Sequence, residues 1–508
     1  MAASSTDFRP QTRTRPSATD ALRQSTAASP GSPKTPRLDR SLSSKYGSPG
    51  GFREQEDVIV YELGARHFSA GYAGESRPRC IIPFTPDDLR RQGDYRQYDA
   101  EYVRERRNAS VGKEWGEGYV LYPLDLADQD VGLIEDRLDR VLRKAMVEHL
   151  QLDSKARKVV LTVPSMLPTP IVEAALRTLF SHFTQPPSVA LLTHPIMSCV
   201  SAGLRHALVV DIGWEETVVT AVGEYKEVAQ KRSIRAGKGL TREMGNVIEK
   251  GMQSQGRADA RVTFAEAEDI TQRIAWCQPR SKEKDESEIK LPVPATDPPE
   301  HFSLSFDRLA EPAEKVLFAS GSRSTEHDDH DLPLHMLAYR VLLSLPQDFR
   351  ALCVSRIVLT GGVSNVPGLK RRLLQEVSHL IDANGWDPVS SYGSAKLPLK
   401  ERSANISFRP KGDESPQVPL SPIKMPIQDT IPHADRVHDD IKDPITIKAE
   451  REAAKGKVDP VKGVIRGVET LGPWAGASLV ASLRVKGAHE IERDDFFRNG
   501  LRNGAADL

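Results

Sequence analysis

Cysteine is scarce in this 508-residue chain: Cys80, Cys199, Cys277 and Cys353 lie far apart, with no C-x-x-C pair and no histidine at ligand spacing. That argues against a disulfide framework or a zinc cluster and fits buried thiols in a reducing compartment. Net charge is absent as well, with 70 Lys+Arg against 70 Asp+Glu, which speaks against a general binder of nucleic acid or membrane surfaces. The longest uncharged stretch, Thr178 to Leu204, is broken by Pro186, Pro187 and Pro195, so no membrane span is expected. The first residues, Met1 to Asp7, lack the apolar run of a secretion signal. A hydrophobic fraction of 39% and a mean hydropathy of −0.43 are low for a compact globule, so part of the chain is expected to be unfolded.

What is present is unevenly spread. Residues 1–53 hold nine basic residues against three acidic ones, with ten serines and six prolines. Little there can build a core, so 1–56 is expected to be a disordered basic tail. Pro10, Pro16 and Asp7 spoil the amphipathic helix of a transit peptide. Ser29-Pro30, Ser32-Pro33, Thr35-Pro36 and Ser48-Pro49 have the pattern of proline-directed phosphorylation sites, and phosphate there would offset the tail's positive charge. A second soft stretch, 388–467, shares in eight prolines between 401 and 470 and shows little periodicity. It reads as a largely disordered insertion, with Ile445-Thr446-Ile447 a candidate strand. The body that remains is large enough for two lobes.

Two segments of that body resemble each other. Val58 to Gly64, then Ser69 to Gly74, is a β-branched strand, an acid-x-Gly turn at Glu62 and Gly64, and a second strand. Leu208 to Gly213, then Thr217 to Gly223, repeats it with the turn at Asp211 and Gly213. Both predict β-hairpins. Between them, Val131, Ile134, Leu138, Val141, Leu142 and Ala145 fall at helix spacing, followed by a strand at Val159–Val163, a helix around Ile171–Phe183 and an apolar segment at Val189–Leu192. Strands alternating with helices in two similar halves give an α/β protein.

Two such hairpins in paired lobes can clamp a polyphosphate, because glycine lets backbone N–H groups approach phosphate oxygens and the acids can hold a hydrated divalent cation. A third element fits the scheme: the strand from Arg356 to Thr360 runs into Gly361-Gly362, and a helix begins after Pro367-Gly368. Such a turn suits close approach to a purine and ribose. Glu62, Gly64, Asp211, Gly213, Gly361 and Gly362 are therefore the candidate nucleotide-cleft residues. No catalytic residue and no metal site are assigned.

Together these residues resemble the actin family. The first hairpin, with Ala70 to Glu75 and Pro78-Arg79, looks like the first phosphate loop, Val209–Val219 like the second, and Leu359–Leu369 like the adenosine motif. Ala236 to Thr241 resembles the opening of actin's smaller outer lobe, and Pro473 to Leu483 its C-terminal signature. The resemblance implies a duplicated, ribonuclease H-like α/β fold with two lobes around a central cleft. The expected division is a first lobe at 57–205, a second at 206–387, the insertion at 388–467, and a segment at 468–508 returning to the first lobe. The departures sit in the phosphate loops: Glu62 stands where actins have aspartate, Arg66 where they have glycine, Ser69 where they have lysine, Trp214 in place of a second aspartate, and Glu215 in place of the next glycine. His194 falls where actins place the glutamine that orients the attacking water. Phosphate transfer depends on positioning and charge, so the reading is a degenerate, non-hydrolysing site. Its glycines leave ATP or ADP binding open, Arg66 has the reach to touch a phosphate, and magnesium is expected only with nucleotide.

Among actin relatives the chain most resembles the divergent actin-related protein at the pointed end of dynactin, on the Tyr61–His67 loop, Asp211 to Glu215, and the Ser/Pro tail. That resemblance implies a cytoplasmic, cytoskeletal subunit capping a filament of another actin-related protein. Its partners would be the filament subunits, other dynactin pointed-end subunits and, indirectly, dynein in microtubule-based transport, with no nucleic acid. The charged, irregular stretch Leu89–Gly118 is the expected capping surface, and Gly472–Leu483 the preserved docking lobe. An ATP-hydrolysing actin-like protein and a nuclear actin-related subunit of a chromatin-remodelling complex stay open as alternatives. The tail lacks the compact Lys/Arg run expected of the latter.

Overall fold

The β-branched runs become strands and the 3.6-period runs become helices. The computed structural model describes residues 58–102, 116–127, 129–257, 261–281, 287–292, 300–319, 328–385, 464–483, 485 and 489–501. The basic tail, Ile445-Thr446-Ile447, most of the 388–467 insertion and the middle of Leu89–Gly118 lie outside these residues.

Strands β1 (Val58–Leu63), β2 (His67–Tyr72) and β3 (Cys80–Pro83) form an antiparallel meander. Helix α1 (Val131–Lys144) starts at Asp130, whose side chain accepts from the Gly132 N–H, and buries Ile134, Leu138, Val141 and Leu142 along one stripe. Strand β4 (Lys158–Val163) then lies parallel to β1 and, after α2 (Thr169–Ser181), β5 (Ser188–Thr193) lies parallel to β4. Helix α3 (His194–Ser201) leads into a second meander of β6 (His206–Ile212), β7 (Thr217–Gly223) and β8 (Lys226–Ser233).

An outer unit follows: α4 (Gly237–Ser254), α5 (Phe264–Ile274) and the hairpin β9 (Glu288–Pro292) to β10 (His301–Ser305) share the core of Met244, Ile248, Met252 and Phe302. Helices α6 (Glu311–Val316), α7 (Leu334–Ser344) and α8 (Gln347–Val354) precede β11 (Ile357–Thr360), which is parallel to β6. After α9 (Leu369–Asn384), β12 (Gly467–Val468) is parallel to β11. The chain ends the described fold with α10 (Pro473–Leu483), β13 (His489–Glu492) antiparallel to β5, and α11 (Arg493–Asn499).

The orders β3-β2-β1-β4-β5 and β8-β7-β6-β11-β12 are the same pattern twice, a three-stranded meander extended by two parallel strands, with β13 added to the first sheet. The paired hairpins therefore do head two equivalent lobes. One core fills the first lobe around Tyr61, Phe68, Leu138 and Phe180, and another fills the second around Leu208, Val219, Leu337 and Val377. Helix α3 serves both: Met197 joins a cluster with Val60, Val160 and Trp474, whereas Cys199 joins one with Val209, Val222 and Val358. All four cysteines are free and buried, and among the described residues no helix is long and apolar enough to cross a membrane.

The end of the insertion differs from expectation. The chain re-enters the second lobe before reaching the first: Arg466 donates its N–H to the Val354 carbonyl and accepts from the Ile357 N–H, and Gly467 already belongs to β12. A two-residue strand carries too few side chains to display a period, so the 467 boundary had no signal in the sequence.

Helices α3 and α10 cross closely at Gly476, where a Cβ would lie 1.9 Å from the Met197 carbonyl oxygen. Because that neighbour is backbone and cannot move aside, Gly476→Ala is expected to destabilise the protein by about 2–3 kcal/mol. A urea unfolding series against the unmodified chain measures it.

Candidate functional site

The carboxyl ends of β1, β6 and β11 open onto one cavity of about 760 Å³ between the lobes, and Glu62, Gly64, Asp211, Gly213, Gly361 and Gly362 all line it. Carboxyl ends of strands are where α/β sheets place ligands, since loops and helix starts there are free of the ladder. Gly361 adopts φ +88°, and a Cβ at that position would meet the Ile212 carbonyl at 2.4 Å and Asp211 Oδ1 at 2.5 Å. The left-handed conformation and the contact with Asp211 both demand glycine there. Gly362, by contrast, has nothing within 4 Å of its would-be Cβ.

The inner end of the cavity is acidic. Glu62 and Asp211, one from each lobe, flank His194 at the start of α3, with His194 Nδ1 3.4 Å from Asp211 Oδ2. Burial raises the Glu62 pKa, the nearby Asp211 charge raises it further, and His194 opposes both. Burial works against protonation of His194, but the Asp211 hydrogen bond and the Glu62 and Asp211 charges outweigh it and hold its pKa above the ordinary value. Glu216 is raised by burial as well, against the pull of Arg232.

The cations on the cavity wall are already engaged. Arg232 lies 3.8 Å from Glu216, and Lys370 pairs with Glu469. Arg66 does not extend toward the glycine turns as a phosphate ligand. Its guanidinium forms a two-pronged pair with Glu268 on α5 of the opposite lobe, Nε to Oε1 at 2.8 Å and Nη2 to Oε2 at 2.7 Å, while Nη1 donates to the Phe84 carbonyl at 2.6 Å. The pair is 6% and 14% exposed. The guanidinium also lies 5.5 and 5.6 Å from the rings of Tyr119 and Phe264, which stack on each other at 4.0 Å.

Trp214 and Glu215 of the second turn pack beside the site. The Trp214 indole packs against Gly237 and sits edge-on to Phe264 at 5.6 Å, and Glu215 takes the Lys238 ammonium at 3.0 Å. Ser69 is buried. Sequence reasoning missed Glu268, Phe264, Tyr119 and Lys238. Arg66 and Glu268 are 202 residues apart, and nothing local to either marks the other.

The sequence model of the actin family matches residues 53–289. Three relatives illustrate the similarity. "SWI/SNF and RSC complexes subunit arp42" of Schizosaccharomyces pombe is 23% identical over 64% of this chain and 86% of that protein. "Actin-related protein 2" of Oryza sativa subsp. indica is 22% identical over 63% and 81%, and "Actin-like protein" of Neurospora crassa is 26% identical over 63% and 83%.

Two histidines of the site push the pH dependence of stability in opposite directions. Burial and Arg66 depress His67 from 6.5 to about 4, so its contribution is present above pH 6.5 and lost as pH falls toward 4. His194 is raised above 6.5, so its contribution is full below that value and lost as pH rises through its folded pKa. In urea unfolding across pH, His67→Gln should therefore gain on the unmodified chain as pH falls from 6.5 toward 4. His194→Gln should fall furthest behind on the acid side and catch up as pH rises.

Proposed function

We propose, from the premise that this chain carries an actin-family domain and is homologous to actin-related proteins, that it is a non-enzymatic subunit capping the pointed end of the actin-related filament in dynactin. In that role it would be cytoplasmic and would support dynein-driven transport along microtubules through the filament and the other pointed-end subunits. The observation that carries the non-enzymatic part is the commitment of charge in the cleft. Arg66, Arg232 and Lys370 on the cavity wall each face a carboxylate. Phosphoryl transfer relies on cationic groups that neutralise charge growing on the phosphate oxygens. A cavity whose cations are spent on protein carboxylates is poorly equipped for that, and it is a degenerate site under this reading.

The capping surface under the same reading is Leu89–Gly118. Its described part is rich in charge, with Arg91 paired to Asp130 and Asp136 and Arg96 to Asp94, and it exposes Tyr95 and Tyr98 at 73% and 78%. Tyrosine and arginine together suit a specific contact, and the interleaved charge discourages addition of a further identical subunit. A second reading, a nuclear subunit of a chromatin-remodelling complex, draws on the S. pombe relative, which is named as a subunit of SWI/SNF and RSC complexes.

Purified full-length protein with magnesium–ATP should release no phosphate above a protein-free control. Turnover that disappears in Asp211→Ala would overturn the non-enzymatic assignment. Capture of the tagged chain from its own cells should return dynactin and dynein chains by mass spectrometry, and recovery of remodelling subunits alone would favour the second reading. Replacing 89–118 with an actin-type loop should lengthen the filament; unchanged length would remove this surface from the capping role.

A further inference from the structure

The two lobes are joined covalently by two crossings. One is α3 and the residues after it, which lead from β5 to β6; the other is 469–472, which leads from β12 to α10. These crossings are tied to each other, because Thr470 Oγ1 donates to the Ser198 carbonyl at 2.8 Å and bonds Ser201 Oγ at 2.6 Å. A pair of adjoining crossings is a hinge, and a hinge by itself leaves the angle between lobes free. In a two-lobed protein with a ligand cleft, closure is commonly set by what binds between the lobes.

Here a third tie is made by residues of neither crossing. From the first lobe come Arg66 in the β1–β2 turn, the Phe84 carbonyl after β3, and Tyr119; from the second come Phe264 and Glu268 on α5, with Trp214 edge-on behind Phe264. All three guanidinium nitrogens of Arg66 are used: Nε and Nη2 reach across to Glu268, and Nη1 is held at home by Phe84 and, at 3.3 Å, by the Tyr119 carbonyl. The guanidinium plane is therefore fixed before it meets the carboxylate. The stacked Tyr119–Phe264 pair beside it covers one side of the contact, whose two side chains are only 6% and 14% exposed. A two-pronged, largely buried, pre-oriented pair loses heavily when one partner is removed, since the other charge is left buried. The α5 N-terminus that presents Phe264 and Glu268 is itself rigid, fixed by a full capping box between Thr263 and Glu266.

We infer that Arg66, Glu268 and the Tyr119–Phe264 stack form an inter-lobe latch that holds the cleft closed without a bound nucleotide, so that the closed form is the resting state of the free chain. This goes beyond the proposed function: the latch stands or falls whatever complex the chain enters. It also predicts that the relative angle of the lobes is constant, which no nucleotide cycle would alter.

Hydrogen–deuterium exchange on the full-length protein tests it at two reporters, the 63–68 turn and the 262–269 segment. Glu268→Gln, which keeps the shape and removes the charge, and Arg66→Met should each speed exchange at both reporters by about tenfold or more. The double variant should be no faster than Arg66→Met alone, because the two residues act through one contact. If Arg66→Met does not fold, Glu268→Gln carries the test against the unmodified chain. Millimolar magnesium–ATP should leave exchange of the unmodified chain at these reporters unchanged. Slowing of tenfold or more on adding magnesium–ATP would overturn the latch, as would exchange in the variants equal to the unmodified chain, or additive effects in the double variant.

Discussion

One eight-residue helix has to serve two sheets. Helix α3 leaves the first lobe at Thr193, gives Met197 to the cluster under β1 and β4, gives Cys199 to the cluster under β6 and β11, and delivers the chain into β6. On the first sheet it shares that burial with α10, whose Trp474 and Ala477 join the Met197 cluster. The demand for small residues follows from the same constraint. Helix α10 must lie across α3 at a distance that only Gly476 permits, and it carries Trp474 onto Gly71, where a Cβ would lie 2.6 Å from the indole. The position of His194 at the first turn of α3 is a further consequence. A helix that must begin between the two acid-x-Gly turns places its first side chain between their acids.

The electrostatics of the cavity follow from that placement. Two acids converge because two equivalent strands end at the same depth, and bringing them together in a buried space without a compensating cation is costly. The chain meets that cost partly with His194, whose proton is favoured by both carboxylates, and partly by keeping Glu62 protonated over a wider range than an exposed glutamate. The arginine of the first turn is directed elsewhere. Its partner lies on α5, and the carbonyls of Phe84 and Tyr119 hold it there. Much of the charge in the cleft is thus offset by other protein groups, Arg66 by Glu268 and the two acids in part by His194.

The architecture was legible because it is written in local signals. The apolar β-branched runs of Val58–Leu63 and Leu208–Ile212, the acid-x-Gly turns and the helical stripe from Ile134 to Leu142 each fix an element from neighbouring residues, and the repetition of the hairpin shows the duplication. The convergence of Glu62, Asp211 and the two Gly-containing turns on one cavity follows once the duplication is seen, since equivalent strands end at equivalent places. The latch contact was not legible. Arg66 reads as an intruding side chain in a phosphate loop, and its true neighbours come from 53 and 202 residues away. Short β12 escaped for another reason: two residues carry no period.

The acid-x-Gly turns have structural work that is independent of any ligand. The Gly213 and Trp214 carbonyls accept from the Gly237 and Lys238 N–H groups, so the second turn satisfies two of the unpaired donors at the start of the eighteen-residue helix α4. Gly213 N–H in turn bonds the Glu216 carbonyl, which closes the hairpin, and Gly64 N–H does the same with His67 in the first lobe. Beneath them Gly361 fits against Ile212 and Asp211 so closely that no side chain is tolerated. Altering any of these positions would disturb a hairpin, a helix start or the β6–β11 junction before it touched a bound phosphate. Their presence is therefore weak evidence for nucleotide chemistry. More telling for chemistry are the side chains beside these turns, and at two of them, Arg66 and Ser69, the structure holds a salt bridge to Glu268 and a buried hydroxyl.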